Sequence, residues 1–517
     1  MIHRSPLPDV EIPETALTPF VLQHAERLAD KPALIEGHTG RTLTYRDIDH
    51  GIRSVAGGLV ARGLAKGEVV ALLAPNIPEF ALVFHGTAFA GGVVTTFNPS
   101  YTDREIRHQL NDSGARMLVT IPDLVATARS AMEGTAVTEL VVIGGDGSDG
   151  TIAFDDLLGD PLGEQVPVEP DDLVVLPYSS GTTGLSKGVM LTHRNLVANV
   201  CQAQGMGISE GEDDVVDAVL PFFHIYGMEV MMNCTLASGG TLVMLPRFDL
   251  AQFLAMHQQY GITTSFVAPP IVLALAKHPL VDDYDLSALR YMLSGAAPLS
   301  AELAVEAGQR LGVDVVQGYG MTEMSPVSHG TPPGRGRPGA VGLTAPNTES
   351  LIVDPETGEH LGIDAEGELW VRGPQVMAGY LNNTAATAAT LDADGWLHTG
   401  DLGRFDADGY LYIADRLKEL IKYKGFQVPP AELEGLLLTH PAVADAAVIG
   451  RPDDEAGEIP IAFAVLKPGQ SAEAEDIRSF VNEQVAHYKQ LATVELIEAI
   501  PKSASGKILR RELRDPA

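Results

Sequence analysis

Cysteine is almost absent: Cys201 and Cys234 are the 2 in 517 residues. Two cysteines exclude a disulfide framework and predict thiols in or near a core, in a reducing compartment. Positive charge is scarce as well. The chain has 35 Lys and Arg against 68 Asp and Glu, a net charge of −33. So acidic a surface repels phosphate backbones and anionic lipids, which argues against nucleic acid and membrane surfaces as partners. No uncharged apolar run reaches the ~18 residues of a spanning helix, so stable membrane insertion is not expected. The opening residues Met1 to Pro6 have no apolar signal core, and the closing residues Arg514 to Ala517 are not a peroxisomal Ser-Lys-Leu signal. Repeats and low-complexity tracts are missing too. The expectation is a cytoplasmic protein, monomer or homodimer.

What is present is ample apolar sequence, 45% hydrophobic and 20% charged, ordinary for a globular protein. A chain of 517 residues exceeds a single core of roughly 250–300 residues, so more than one domain is expected. Residues Thr18 to Asp30 have helical spacing. Val69–Leu73 reads as a buried strand, Pro78–Ala90 as a helix ended by Gly91-Gly92, and Val93–Thr96 as the next strand. That βαβ order recurs through Arg116–Val119, Leu124–Met132 and Leu140–Ile143, giving an α/β fold with mostly parallel sheets. Between about 336 and 414 short strands and Gly-Asp turns predict a β-rich subdomain. Beyond Asp415 the pattern returns to a small α/β unit, with helices at Ala431–Leu438 and Ala472–Val485 and strands at Ala444–Gly450 and Ile461–Leu466. The string Gly145-Asp146-Gly147-Ser148-Asp149-Gly150 matches Gly-x-Gly-x-x-Gly, but extended chain follows it and its aspartates repel phosphate. It reads as a surface turn.

The run Tyr178-Ser179-Ser180-Gly181-Thr182-Thr183-Gly184-Leu185-Ser186-Lys187-Gly188 follows the apolar strand Leu173–Leu176. Free backbone N–H groups, hydroxyls and one ammonium suit a polyphosphate. The spacing is not Walker A: the residue where the second glycine belongs is Ser186. Gln317-Gly318-Tyr319-Gly320-Met321-Thr322-Glu323 offers a ring to stack on a base and a carboxylate for Mg²⁺ against a triphosphate. Thr399-Gly400-Asp401 offers a carboxylate for ribose hydroxyls. The segment Asp415 to Gln427 and the tail, with Lys502, Lys507, Arg510, Arg511 and Arg514, concentrate the scarce positive charge. That favours anionic ligands there.

These strings, in this order, resemble the acyl-adenylate-forming superfamily, most closely its 4-coumarate–CoA ligase-like branch, over essentially the whole chain. The terminal Pro501-Lys502-Ser503-Ala504-Ser505-Gly506-Lys507 completes the set. The resemblance implies an N-terminal domain over 1–416, a mobile C-terminal domain over 417–517 and a hinge at Lys418. It implies two half-reactions. A carboxylate attacks the α-phosphate of Mg·ATP to give acyl-AMP and pyrophosphate; coenzyme A then displaces AMP to give a thioester.

Residue by residue, the resemblance assigns Ser179, Ser180, Gly181, Thr182, Thr183, Gly184 and Lys187 to the phosphates, and Thr322 beside them. Glu323 matches the Mg²⁺ residue. Ala296, Gln317, Gly318 and Tyr319 match the adenylate site; Asp401 and Arg416 match the ribose contacts. Lys507 matches the lysine that bridges carboxylate and α-phosphate, Lys418 the hinge, and Lys422 and Gln427 the thioester-forming pose. Arg247, Lys424 and Gly425 match coenzyme A contacts. His224, Tyr226, Gly295, Ala296, Gly320, Val327 and Gly330 match the acyl site, where small residues at 295, 296, 297 and 330 leave room for a ring or chain. Amino-acid-activating relatives carry an aspartate in the motif around His224. Here the nearest acid is Glu229, outside the string, so amino acids are disfavoured. No second histidine or cysteine stands at zinc-ligand spacing near His224. Ser186 departs from a proline common in relatives, and Ser325 to Gly330 is more polar than in plant coumarate enzymes. The resemblance implies as substrate a 4-coumarate-like aromatic acid or a medium-chain fatty acid, and two further activities share these motifs: loading of a carrier-protein thiol, and a luciferase-like oxygenation of the adenylate.

Overall fold

The computed structural model describes residues 1–179, 186–208, 211–424, 426–453, 456–503 and 506–514, with Gln427 as backbone only. Among them, two parallel-rich sheets and one antiparallel sheet build a large N-terminal domain, and a further sheet builds a smaller C-terminal α/β domain.

The first sheet runs through Val69–Leu73, Val93–Thr96, Met117–Thr120 and Glu139–Val142 in parallel, with Leu173–Leu176 alongside Val93–Thr96. The second stacks Tyr291–Ser294, Thr264–Val267, Val215–Ala218, Thr241–Met244 and Pro32–Glu36 in parallel. Their strands are mostly apolar and mostly buried along their length, as in sheets covered on both faces. The helix Pro78–Phe89 is buried at every residue. It packs against strands of both sheets, which is why it is apolar all round. The helix Tyr45–Ala61 starts at a capping box between Thr44 and Asp47. Its Gly58 is needed for close approach: a Cβ there would lie 1.6 Å from the Leu157 carbonyl oxygen.

The antiparallel sheet orders Glu349–Val353, Gly367–Arg372, Leu397–Phe405, Tyr410–Arg416, Gly342–Thr344, Val327–Gly330 and Tyr319–Gly320. It therefore reaches beyond the stretch expected to be β-rich, taking in Tyr319–Gly320, Val327–Gly330 and the N-terminal pair His3–Arg4. In the C-terminal domain, Val443–Asp453 and Gly457–Leu466 form a long antiparallel pair, and helices Pro430–Thr439 and Ala474–Asn482 pack with Ile421, Val428, Leu433 and Ile477 in its core.

One expected helix is not formed. Only Leu17–Val21 is helical in the stretch read as Thr18 to Asp30. Beyond it, Ala25 N–H bonds to Leu22 O and Gln23 N–H to Phe20 O. These three-residue bonds make successive turns that still bury Leu22 and Ala25. The string Gly145 to Gly150 ends in a short exposed 3₁₀ turn, and strand Ile152–Ala153 follows it.

Candidate active site

One cavity of about 1310 Å³ lies where the antiparallel sheet, the first sheet and the C-terminal domain meet. That is more than the ~300–1,000 Å³ typical of a single small-molecule site. Lys and Arg outnumber acids among its described lining residues, the reverse of the whole chain.

One end, which the sequence reading assigns to phosphates, is built on an antiparallel strand pair. Strand Tyr178–Ser179 pairs antiparallel with Lys187–Thr192, placing Ser179 opposite Lys187. Ser180, Gly181, Thr182, Thr183 and Gly184 lie outside the described residues. The hydroxyl of Tyr178 donates to Asp112 Oδ2 at 2.7 Å, and Asn382 donates to the Asp112 carbonyl. Thr322 and Glu323 line the same end. Glu323 is buried, and its Oε1 accepts from the Tyr380 hydroxyl at 2.7 Å. No group of three or more His, Cys, Asp or Glu suited to a metal occurs among the described residues. A single carboxylate beside a phosphate cradle fits Mg²⁺, which is held by one or two carboxylates plus substrate phosphates.

At the nucleotide end, Asp401 and Arg416 face each other across strands Leu397–Phe405 and Tyr410–Arg416. The Arg416 Nε lies 3.1 Å from Asp401 Oδ1, and Tyr319 donates to Asp401 Oδ2 at 2.6 Å. Burial pulls the Asp401 carboxyl up; Arg416 and the Tyr319 hydroxyl oppose it. A carboxylate has about four lone-pair sites, so room remains for further hydroxyl donors. Thr399, Gly400, Glu368 and His398 complete this end, with His398 stacked on Trp370 at 3.7 Å. Gly318 lines the wall. The Gln317 side chain does not: its Oε1 accepts from Leu299 N at 3.1 Å, behind the wall.

The acyl end is formed by His224, Tyr226, Val230, Ile208, Leu293, Gly295, Ala296, Gly320 and Val327. Tyr226 and Val230 lie on a π-helix, Tyr226–Asn233. The His224 Nδ1 accepts from Tyr226 N at 3.3 Å, leaving the Nε2–H as the ring's donor. Burial pushes the His224 pKa down to about 4, aided by the Lys507 ammonium, so the ring is neutral. Gly330 does not line the cavity. The space its side chain would take is filled by Ile208 and Met206, with Ile208 Cδ1 2.7 Å from an ideal Cβ. Gly295 leaves no spare volume either: a Cβ would lie 3.0 Å from the Tyr226 ring. Ala296 sits at φ 69, in the left-handed region. Glu229 is fully buried away from the cavity and accepts from Asn233 at 2.6 Å; burial raises its pKa well above the usual carboxylate value.

The C-terminal domain contributes Lys507, Lys502, Ser503 and Arg510 to the lining, and Lys418 lies with them. Burial lowers the Lys507 pKa to about 8, with Arg416 adding to it and Glu419 and Asp401 opposing. Arg510 is locked between Glu419 at 2.5 Å and Glu434 at 2.7 Å. Lys422, Lys424 and Arg247 are exposed and stand outside the cavity. Gly425 and the Gln427 side chain lie outside the described residues. Sequence reading missed Tyr380, Glu368, His398, Val230 and Ile208. His398 directly precedes Thr399-Gly400-Asp401, the available signal for it; the others are set by strand register and helix phase.

The family profile "AMP-binding enzyme" matches residues 21–381, and "AMP-binding enzyme C-terminal domain" matches 432–507. The chain is 43% identical to 4-coumarate-CoA ligase 1 of Narcissus pseudonarcissus, over 99% of this chain and 96% of that protein. It is 44% identical to 4-coumarate–CoA ligase 5 of Oryza sativa subsp. japonica, over 99% and 97%. Among solved structures, the anthranilate CoA ligase AuaEII bound to anthranoyl-AMP superposes with a TM-score of 0.90 at 28% identity, covering 98% of this chain and 97% of that one. A benzoate CoA ligase from Burkholderia xenovorans LB400 gives 0.88 at 25%, covering 97% and 100%. The chain belongs to the AMP-binding enzyme family, on the branch of the 4-coumarate–CoA ligases.

Proposed function

We propose that the protein is an ATP-dependent acid–CoA ligase acting on an aromatic carboxylic acid such as 4-coumarate. The observation that carries this reading is the cavity that Lys507, His224, Arg416 and Lys187 line together, with Arg416 paired to the buried Asp401. In the first half-reaction two anions meet, and fixed donors must offset charge developing on the α-phosphate. Lys507 is the compact ammonium able to touch a carboxylate oxygen and an α-phosphate oxygen together. The neutral His224 ring donates toward the acid from the acyl side. Lys187 and the hydroxyls of its hairpin hold the departing pyrophosphate, and Asp401 and Arg416 fix the ribose. Glu323 would hold Mg²⁺, which neutralises the β- and γ-phosphates. In the second half-reaction the thiol of coenzyme A attacks the acyl carbon and AMP leaves. Lys422 and Lys424, exposed in the present pose, serve this step after the C-terminal domain turns about Lys418. The relatives named 4-coumarate–CoA ligase, benzoate CoA ligase and anthranilate CoA ligase support an aromatic acid. Glu229 is buried and paired with Asn233, so it offers no carboxylate to a substrate ammonium.

The test is pyrophosphate release across cinnamic, benzoic and fatty acids, with and without coenzyme A. Release is expected to be largest with 4-coumarate-like acids, and thioester only when coenzyme A is present. Discrimination of ~1–3 kcal/mol per methylene should rank the acids. No release with any acid overturns the reading. Thioester formed on a carrier protein but not on free coenzyme A would move the assignment to carrier loading.

A further inference from the structure

Tyr380 belongs to none of the strings read from the sequence, yet it touches two of them. Its hydroxyl donates to Glu323 Oε1 at 2.7 Å. The Lys187 ammonium lies 4.0 Å from its ring centroid. The register explains the second contact. Tyr380 pairs with Val189 across antiparallel strands. Lys187, two residues earlier on the same face, is its diagonal neighbour, within reach of a long side chain.

The placement is held on every side. Ala378 N–H bonds to Met190 O at 3.0 Å and Leu381 N–H to Gly188 O at 2.8 Å, so the backbone is fixed on both flanks. The Tyr380 N–H donates to Thr387 Oγ1 at 2.9 Å, tying it to helix Thr384–Thr390. Gly379 has φ 143, a turn an L side chain rarely makes. Met377 N–H bonds to the Glu323 carbonyl at 2.9 Å, so the same short segment also fixes the Glu323 backbone. The ring is 5% exposed and lines the phosphate end of the cavity.

We propose that Tyr380 is a positioning residue for the triphosphate end of the site. Its hydroxyl orients the Glu323 carboxylate toward the metal-bearing phosphates. Its ring holds the Lys187 ammonium beside the hairpin until phosphate takes it. An aromatic face attracts an ammonium weakly enough to yield to a phosphate oxygen, so the lysine is aimed without being trapped. One side chain thus sets the separation between the two groups that must meet one ligand. The proposal rests on the ATP-dependent reading above and acts through Glu323 and Lys187, with no contact of its own to the reacting atoms.

The hydroxyl and the ring can be removed separately. Tyr380→Phe keeps the ring. It is expected to weaken Mn²⁺ binding in the presence of a non-hydrolysable ATP analogue, read by electron paramagnetic resonance, by about tenfold, the scale of losing a partner of a metal ligand. The Mg²⁺ concentration for half-maximal pyrophosphate release should rise in step. Tyr380→Leu removes both groups and should also raise the KM for ATP, by about three- to tenfold. Thioester formation from supplied acyl-AMP should be unchanged in both variants, because acyl-AMP carries no β- or γ-phosphate to occupy that end. Unchanged Mn²⁺ binding in Tyr380→Phe overturns the proposal, and so does equal loss of both half-reactions, which would mark a packing role. If Tyr380→Leu does not fold, Tyr380→Phe alone decides. The wild-type acid panel separately judges the ligase reading, since Mn²⁺–nucleotide binding needs no acid.

Discussion

At the scale of the residue, Lys507 carries the sharpest consequence. Burial lowers its pKa from the usual lysine value to about 8. The ammonium form is the one that bridges two anions, and it prevails below that value. As pH rises through about 8 the free enzyme loses this charge, and kcat/KM for acyl-adenylate formation should fall by about tenfold per further pH unit. Bound ATP brings phosphates beside the amine and pushes its pKa back up. The alkaline limb should therefore be strong in kcat/KM and weak in kcat. Rates of pyrophosphate release across pH check this, and a kcat/KM profile flat to about pH 10 would contradict it. Burial lowers His224 as well. Its pKa is down at about 4, so it stays neutral through that range and adds nothing to the alkaline limb.

At the scale of the element, the acyl wall depends on one close backbone approach. A Cβ on Gly227 would lie 2.3 Å from the Pro221 carbonyl oxygen, between the loop bearing His224 and the π-helix bearing Tyr226. Gly227→Ala must shift backbone there. The expected cost is ~1–3 kcal/mol, the scale of overpacking, with a raised KM for the acid. Gly435 is the control. It sits inside helix Pro430–Thr439, where an added Cβ meets nothing within 4 Å. Gly435→Ala should stabilise by ~0.5–1 kcal/mol. Denaturation midpoints compare the two, and equal effects would refute the argument. The same elements show what was legible. Helix Pro78–Phe89 follows from local pattern, since Pro78 and Gly91-Gly92 mark its ends. The π-helix does not: Glu229 and Asn233 stand four apart, as in an ordinary α-helix. The helix expected over Thr18 to Asp30 fails for the converse reason, because short turns bury the same apolar residues. Tyr380 was silent because a lone tyrosine after glycine reads as any strand residue. Only the register to Val189 brings it to Lys187 and Glu323.

At the scale of the molecule, the strings that carry chemistry were legible because residue type and order survive without geometry. What they could not give is which of them meet at one time. Lys507 faces the cavity, while Lys422, on strand Ile421–Tyr423 of the same domain, is exposed and outside it. If both serve the reaction, they serve it in turn, and the domain must rotate between the half-reactions. Lys418 is the proposed pivot. Leu417 N–H bonds to Gly400 O, and Glu419 and Leu420 N–H both bond to Arg416 O. Proline at 418 leaves those three donors in place while locking φ at about −65°. Lys418→Pro should therefore freeze rotation with modest effect on the pose seen here. Acyl-AMP formation is expected to persist, and thioester formation from supplied acyl-AMP to fall by about a hundredfold or more, as for a blocked conformational step. Lys507→Ala should give the mirror image: adenylation lost by about 10²–10³-fold, thioester formation kept. Single-turnover rates of the two half-reactions decide, and a variant pair that loses both steps equally would rule out the two-pose cycle.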